Sequence, residues 1–195
     1  MKKPSIEKIT ETGVIHGRFQ ILHNDHVKYL LSGKELCKHL VVGITNPDPG
    51  LSKKESADLK RNDPIANPLT YYERYILVRE SLKEAGLRSD AFSIVPFPIS
   101  TPDLYQYYVP LDAVFYLVIY DDWGKQKFNY FHSLGLKTQI LREVSPEEKG
   151  ISSSDVRDFI LSDKPWEHLV PYVVARFLKK WKIQERLIKI RNNKA

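Results

Sequence analysis

The sequence predicts an α/β protein with a Rossmann-like, doubly wound parallel sheet and a helical carboxyl-terminal part. Strand-like and helix-like segments alternate over residues 1–150, which is typical of a doubly wound sheet. The apolar run from Ala113 to Tyr120 suits the buried middle of such a sheet, because parallel strands are covered on both faces. After Gly150 the periodic segments are all helical. We therefore expect a single domain over residues 1–195, with an α/β core at 1–150 and a helical subdomain at 151–195.

The first two predicted strands are Thr12–Gly17 and Lys38–Thr45, which are short and apolar. Between them Val27, Leu30 and Leu31 recur at helical spacing. A strand–helix–strand unit of this length implies a parallel pair with a right-handed crossover.

A polar stretch from Asn46 to Pro68, rich in proline, aspartate and lysine, follows the second strand. A loop this long within a compact domain is usually functional, and we interpret it as a candidate lid. Thr70 can cap a helix that runs to Ala85, with Gly86 as its stop. Beyond it the sequence predicts strands at 92–97, 113–119 and 137–141 and a helix at 125–133.

The composition excludes several classes of protein. With 42% apolar and 28% charged residues, the chain can fill a core, so disorder throughout is excluded. No apolar run approaches the ~18 residues of a membrane span, and the opening lacks the apolar stretch of a secretory signal, so we expect a cytoplasmic protein. Cys37 is the only cysteine, which excludes an internal disulfide and favours a small buried apolar role.

The formal net charge of +6 is concentrated at the carboxyl end. Residues 176–195 hold eight lysines and arginines against one glutamate, which is +7, so the rest of the chain carries −1. We interpret this segment as a solvated helix end rather than a nucleic-acid surface.

The segment with the most chemical information runs from His16 to His26, at the carboxyl end of the first predicted strand. Open α/β sheets bind ligands at this edge. Just ahead of the helix, His23 and His26 can both face an anion that free backbone N–H groups hold at the helix N-terminus. A capping or surface pair is the alternative, and a zinc site would need further ligands, so we expect no metal ligands among the side chains.

A second informative segment follows Gly150. Ser152 and Asp155 have the spacing of a capping box, so Ser153 and Ser154 would present hydroxyl and N–H groups at the positive end of a helix. One turn further, Arg157 adds a planar fork that suits phosphate oxygens. Taken alone, the segment is better explained by an ordinary capped helix with an exposed arginine.

Together these segments resemble the nucleotidyltransferase superfamily. Residues 17–20 and 23–26 resemble the Gly-Arg-Phe-Gln…His-x-Gly-His signature of its archaeal-type nicotinamide mononucleotide (NMN) adenylyltransferase branch. Residues 151–157 resemble its Ile-Ser-x-Thr/Ser-x-Ile/Val-Arg motif, and 67–74 and 166–171 are similar to further segments of the branch. The resemblance thus covers most of the chain.

The chain departs from that pattern at three places. Asp25 stands where the signature has glycine, and Tyr120–Lys125 stands where the archaeal enzymes carry a Ser/Tyr-Gly-Asn turn. The loop at 47–63 is also longer than is usual for the branch. The differences gather around the side of the acceptor substrate.

The resemblance implies an adenylyltransferase that joins AMP from ATP to NMN or nicotinate mononucleotide and releases pyrophosphate, giving a dinucleotide. The attacking phosphate is already anionic, so no general base or protein nucleophile is required. Catalysis then consists of positioning the phosphates and neutralising their charge. Mg²⁺ carried by the ATP is the expected cofactor. The expected partners are ATP, a phosphomonoester and further copies of the chain in a homo-oligomer, with no nucleic acid and no membrane.

The resemblance also implies roles for individual residues. Catalysis is assigned to Arg18, His23, His26 and Arg157. ATP binding is assigned to Gly17, Arg18, Phe19, His23, His26, Ser153, Ser154 and Arg157. Acceptor binding is assigned to Asn46, Arg74, Tyr105 and Trp123, where Tyr105 and Trp123 are expected in exposed loops as platforms for the nicotinamide ring.

The sequence leaves three other functions open. The first alternative is a cytidylyltransferase or another nucleotidyltransferase of the same fold that acts on a different phosphomonoester. A catalytically weak nucleotide-binding sensor is the second alternative, because Asp25 alters the phosphate loop. A nucleic-acid binder that uses the basic tail is the least supported of the three.

Overall fold

A computed structural model describes residues 9–46, 63–145, 148 and 150–193. Five parallel strands form one sheet in the order β3-β2-β1-β4-β5. The strands are β1 (Thr10–Gly17), β2 (Cys37–Thr45), β3 (Phe92–Phe97), β4 (Val114–Ile119) and β5 (Lys137–Glu143). The predicted doubly wound sheet is confirmed. Most of the predicted lid, at 47–62, lies outside the described residues.

Helices lie on both faces of the sheet and continue beyond it. They are α1 (Asn24–Glu35), α2 (Tyr71–Glu84), α3 (Asp122–Ser133), α4 (Ser153–Leu161), α5 (Tyr172–Lys180) and α6 (Ile183–Asn192). Short 3₁₀ turns occupy Pro64–Ala66, Pro102–Tyr107 and Glu167–Leu169. Thr70 caps α2 as predicted, and Glu73 completes the capping box. The helix predicted at 125–133 begins earlier, because the Asp121 side chain accepts the Gly124 N–H and caps it.

The strand order places a topological switch point between β1 and β4. From β1 the chain adds strands in one direction to β3, and then returns to the other side of β1 to form β4 and β5. β1 pairs with β2 as far as Gly17, but it pairs with β4 only at Gly13 and Val14. The carboxyl ends of β1 and β4 are therefore not joined, and such a crevice is where open α/β sheets bind ligands.

Two hydrophobic clusters cover the two faces of the sheet, as alternation along β1 requires. Ile15 belongs to the cluster that also packs α1, α2 and the carboxyl-terminal helices. Val14 belongs to the cluster that packs α3 and the turn at Pro102–Tyr107. Cys37 is buried, as predicted. Within the described ranges, none of the helices has both the length and the apolar character needed to cross a bilayer.

Candidate active site

The loop that joins β1 to α1 forms the centre of the candidate site. It leaves the sheet at Gly17, where an added Cβ would lie 2.8 Å from the ring of Phe19, so the position requires glycine. Phe19 has a positive φ of 52°, and its buried ring stands nearly perpendicular to the ring of His26. The protein itself covers the Phe19 ring, and a contact between that ring and ATP stays a prediction.

The start of α2 holds this loop from one side. The side chain of Gln20 exchanges two hydrogen bonds with the backbone of Leu69: its Nε2 donates to the carbonyl oxygen at 2.8 Å, and its Oε1 accepts the N–H at 2.9 Å. Both groups are buried, so these bonds are shielded from competing water. The loop is thus tied to the segment that precedes α2.

Arg74, on α2, is the second contact from that side. Its guanidinium is 2% exposed and donates to the carbonyl oxygens of Arg18 (2.9 Å), Thr45 (2.7 Å) and Asn46 (2.7 Å). Burial lowers the pKa of Arg74 to about 10, which leaves it charged at pH 7. The structure gives Arg74 a bracing role that sequence reasoning missed, and its contact with an acceptor stays a prediction.

The amino end of α4 holds the loop from the other side. Ser152 and Asp155 form the predicted capping box, and the Ser153 hydroxyl donates to the carbonyl oxygen of Ile21 at 2.8 Å. The guanidinium of Arg157 donates to the carbonyl oxygen of Gln20 and, at 3.0 Å, to the Ser154 hydroxyl.

The structure therefore brings the two predicted motifs together. Arg157 is only 7% exposed, so the exposed arginine of the alternative interpretation is excluded. Its role towards ATP stays a prediction, as do those of Ser153 and Ser154. What the structure shows directly is that the motif after Gly150 supports the loop after β1.

Asp25, which replaces the glycine of the family signature, also links the two motifs. Its Oδ2 accepts the N–H of Ile151 at 3.0 Å, and its Oδ1 accepts from Lys28 at 2.8 Å. A Cβ added to Gly150 would lie 2.1 Å from Oδ2. The carboxylate thus fills space that only a glycine at 150 leaves open.

We expect a double-mutant cycle to show this coupling between Asp25 and Gly150. Gly150→Ala should lower the free energy of unfolding, because the new Cβ collides with a carboxylate that two hydrogen bonds hold in place. In the Asp25→Ala background the same substitution should hardly change the free energy of unfolding. The coupling free energy between the two positions should then be about 1 kcal/mol. Urea unfolding of the four proteins measures it. Equal effects of Gly150→Ala in both backgrounds would contradict the contact.

His23 and His26 lie together at the first turn of α1, as predicted. Their ring centroids are 3.7 Å apart with 30° between the planes. The His23 N–H donates to Nδ1 of His26 at 3.4 Å, so the ring of His26 caps the helix. The ring of His23 is buried, and among the described residues its Nδ1 has no hydrogen-bond partner. An unpartnered nitrogen beside the N-terminus of a helix suits a ligand with phosphate oxygens.

Both rings are neutral at pH 7 in the free protein. Burial lowers the pKa of His23 to about 4, although Asp25 and Asp155 oppose the shift in part. Burial, followed by the charges of His23 and Arg18, lowers the pKa of His26 well below its usual value. Each neutral imidazole offers one N–H donor and one acceptor nitrogen.

The lowered pKa of His23 predicts a loss of stability in mild acid. Between pH 6.5 and about 4 the unfolded chain binds a proton that the folded one does not, so the free energy of unfolding falls as the pH decreases. At pH 5 the contribution of His23 is on the order of 2 kcal/mol. Urea unfolding at pH 7 and pH 5 measures the difference in the free energy of unfolding between the two pH values. His23→Gln should reduce this difference. The control, His132→Gln at an exposed position, should leave it unchanged. An unchanged difference in His23→Gln would contradict the assignment.

The expectation that Tyr105 is an exposed loop residue is wrong. It lies in the 3₁₀ turn at Pro102–Tyr107 and is 2% exposed. Its ring packs 4.5 Å from that of Phe97, between centroids, and its hydroxyl donates to the carbonyl oxygen of Ile99. The physical reason is that the turn folds back onto the sheet and buries the ring in the second hydrophobic cluster.

Trp123 and Asn46 lie at the ends of secondary-structure elements. Trp123 lies in the first turn of α3 rather than in the predicted loop, because the Asp121 cap starts the helix earlier. Asn46 follows β2 with a positive φ of 50°, and its carbonyl oxygen accepts from Arg74. Contacts of either residue with an acceptor stay predictions.

Sequence reasoning missed His16, the next-to-last residue of β1. Its ring is 6% exposed and lies between those of Phe97 and Phe131, at centroid distances of 5.6 and 5.2 Å. Within the described part of the chain, neither ring nitrogen has a hydrogen-bond partner. The available signal was a polar residue in an otherwise apolar strand, one position before Gly17.

The profile of the cytidylyltransferase-like family matches residues 14–159, which include both histidines and Arg157. The chain belongs to the cytidylyltransferase-like family. The predicted nucleotidyltransferase relationship is thereby confirmed.

Two relatives with different named activities match this cytidylyltransferase-like chain at different levels of identity. It is 49% identical to phosphonoformate cytidylyltransferase of Streptomyces viridochromogenes, over 94% of this chain and 98% of that one. It is 29% identical to nicotinamide-nucleotide adenylyltransferase of Thermococcus onnurineus, over 93% of this chain and 89% of that one. The resemblance to the archaeal adenylyltransferases is therefore real but more distant.

A solved structure supports the fold of this family member. A bifunctional NMN adenylyltransferase/ADP ribose pyrophosphatase from Francisella tularensis superposes with a TM-score of 0.61 at 14% identity. The alignment covers 94% of this chain, which spans about half (54%) of that protein. At this identity the likeness concerns the Rossmann-like fold alone.

Membership of the cytidylyltransferase-like family makes the chain an enzyme. It is a nucleotidyltransferase, whose substrates are a nucleoside triphosphate and a phosphate-bearing molecule. Among the described residues no three or more His, Cys, Asp or Glu side chains are placed to hold a metal ion. The loop, the two histidines and the amino ends of α1 and α4 form the candidate site for the phosphates.

Proposed function

We propose that the chain transfers a cytidylyl group from CTP to a small, ring-free phosphonate or phosphate that carries a carboxylate, and releases pyrophosphate. The observation that carries the proposal is the 49% identity to phosphonoformate cytidylyltransferase over nearly the full length of both chains. The nicotinamide-nucleotide adenylyltransferases of Thermococcus onnurineus and Thermococcus kodakarensis match at 29% and 27%. The relatives thus favour the cytidylyltransferase that the sequence left open over the adenylyltransferase that its motifs suggested.

The acceptor side of the structure supports the same proposal. An NMN-specific enzyme needs a platform for a pyridine ring, and one of the two aromatic residues expected there, Tyr105, is part of the core, which leaves Trp123 as the other candidate. A phosphonate bearing a carboxylate needs donors for two anionic groups instead.

The reaction requires little covalent participation by the protein. An oxygen of the acceptor attacks the α-phosphorus of CTP in line, a new P–O bond forms, and the bond to the bridging oxygen of the β-phosphate breaks, so that pyrophosphate leaves with the electron pair. The attacking oxygen is already anionic, so no side chain has to remove a proton. The protein contributes alignment and stabilisation of the charge on the leaving phosphates.

The roles we propose follow from the geometry. His23 and His26 donate ring N–H groups to phosphate oxygens, alongside the free N–H groups of the first turn of α1. Arg18 and Arg157 add charge on either side of the loop. Arg157 has guanidinium N–H groups beyond the two that bond to Gln20 and Ser154, so it can contact a phosphate without releasing the loop.

Mg²⁺ stays part of the proposal as an ion that arrives on the triphosphate. The carboxylate beside the histidines, Asp25, is engaged by Ile151 and Lys28, so phosphate oxygens and water fit better as its ligands. When bound, the ion supplies further neutralisation of the triphosphate charge.

The test is a panel of two nucleotides against several acceptors, with pyrophosphate release as the signal. CTP and ATP are each combined with phosphonoformate, NMN, nicotinate mononucleotide and glycerol 3-phosphate. We expect the highest kcat/KM with CTP and phosphonoformate. The double variant His23→Ala/His26→Ala serves as the inactive control. If kcat/KM is higher for ATP with NMN than for CTP with phosphonoformate, the proposal is overturned in favour of the adenylyltransferase interpretation.

A further inference from the structure

His16 stands where an acceptor bound in the crevice would meet the sheet. It is the last residue but one of β1, and the pairing between β1 and β4 has already ended two residues earlier, at Val14. Its side chain projects to the same face of the sheet as Val14, which is the face covered by α3. The imidazole therefore lies beside the switch point, next to the start of the phosphate loop.

The surroundings of this ring are apolar on two sides. Phe97 at the end of β3 and Phe131 on α3 flank it, and both belong to the second hydrophobic cluster. Neither Nδ1 nor Nε2 of His16 bonds to any described residue. A buried polar group without a partner destabilises a fold, whereas an apolar side chain of similar volume would not. The free protein thus retains a destabilising group at its ligand edge.

The electrostatic environment suits a small anion. Lys127 lies one turn before Phe131 on α3, and its charge acts on His16. Burial, followed by this charge, lowers the pKa of His16 well below its usual value. The ring is therefore neutral at pH 7, and it carries one N–H that can be donated to an anionic oxygen.

We propose that His16 recognises the carboxylate of the acceptor by donating a ring N–H to it, and so determines the preference for carboxylated phosphonates. The inference rests on the proposed function, which it deepens. The phosphonate end would face the loop and the histidines of α1, while the carboxylate end enters the gap between β1 and β4. Both ring nitrogens are buried in the free protein. The proposed contact therefore requires a neighbouring side chain to move when the acceptor binds.

The experiment compares phosphonoformate with methylphosphonate, in which a methyl group replaces the carboxylate. In the wild type we expect kcat/KM with CTP to be higher for phosphonoformate. His16→Leu should lower that preference at least about tenfold, through KM of the acceptor, and change KM of CTP by no more than about twofold. His16→Gln, which keeps an N–H donor, should recover part of the preference. His39→Leu, at the opposite end of the sheet, is the matched control.

Two further measurements separate this role from a structural one. His16→Leu should raise the melting temperature of the free protein by about 2–4 °C, because it removes two unpartnered nitrogens. A structural histidine would lose stability on the same change. Phosphonoformate alone should shift the imidazole NMR signals of His16 and leave those of His39 in place.

The possible failures are distinguishable. If the wild type transfers the nucleotide to NMN and to neither phosphonate, the proposed function falls, and an absent NMR shift of His16 with phosphonoformate then removes the inference as well. If the wild type uses phosphonoformate and His16→Leu keeps the full preference over methylphosphonate, the proposed function stands and the role of His16 is overturned.

Discussion

Replacing His23 or His26 with alanine should lower kcat by about 10²–10³-fold while the protein remains folded. Both rings lie at the amino end of α1, where phosphate charge is best stabilised. Losing one preorganised donor to a charge that develops in the transition state typically raises the barrier by about 2.7–4 kcal/mol. The effect should be larger on kcat than on KM, because the donors act mainly on the leaving phosphates.

Steady-state pyrophosphate release with CTP and phosphonoformate measures this loss. The exposed His132 provides a matched control, and His132→Ala should keep wild-type activity. Circular dichroism spectra of the variants should match that of the wild type, which shows that the loss is not unfolding. Full activity in the double variant would remove the histidines from the site.

Arg74→Met should be the most destabilising of the substitutions considered, with at least about 3 kcal/mol lost from the free energy of unfolding. The substitution removes the cation and leaves the carbonyl groups of Arg18, Thr45 and Asn46 without this donor, in a region that water reaches poorly. Each hydrogen bond to a charged group contributes about 1.5–3 kcal/mol. Methionine fills much of the volume, so the loss reports the hydrogen bonds rather than a cavity.

Urea unfolding at pH 7 is the measurement. Arg79→Met, on the same helix but at an exposed position paired with Glu80, should change the free energy by less than about 1 kcal/mol. Arg74→Lys should fall between the two, because a single ammonium cannot replace the planar fork in which Nη1 and Nη2 reach three carbonyl oxygens. If the free energy of unfolding of Arg74→Met lies within about 1 kcal/mol of the wild-type value, the hydrogen bonds of Arg74 contribute little to stability.

Much of the fold could be predicted from local patterns. The strand β4 stands out because a parallel strand inside a sheet is buried on both faces and therefore consists of a continuous apolar run, whereas the edge strand β5 is mostly polar. Capping boxes at Thr70 and Ser152 use side chains three residues apart, so they are visible in the sequence. The pair His23 and His26 was found for the same reason, since both residues lie on one turn.

The rest of the site depends on contacts between distant segments. The bond between Asp25 and Ile151 joins residues 126 apart, and that between Arg157 and Gln20 joins residues 137 apart. No local pattern shows which buried carbonyl lacks a donor, so the bracing role of Arg74 could not be anticipated. The same holds for the burial of Tyr105, which depends on how a 3₁₀ turn packs on the sheet.

The double clamp on the loop after β1 has a consequence for how the protein acquires its activity during synthesis. All five strands are complete once Glu143 has left the ribosome, so the sheet can assemble at that point. The contacts from Ile151, Ser153 and Arg157 reach the loop only afterwards. A nascent chain that stops short of α4 would therefore hold all five strands but lack one of the two sets of contacts that fix the loop after β1. If the phosphates bind as proposed, nucleotide binding requires that α4 has folded onto the loop after β1.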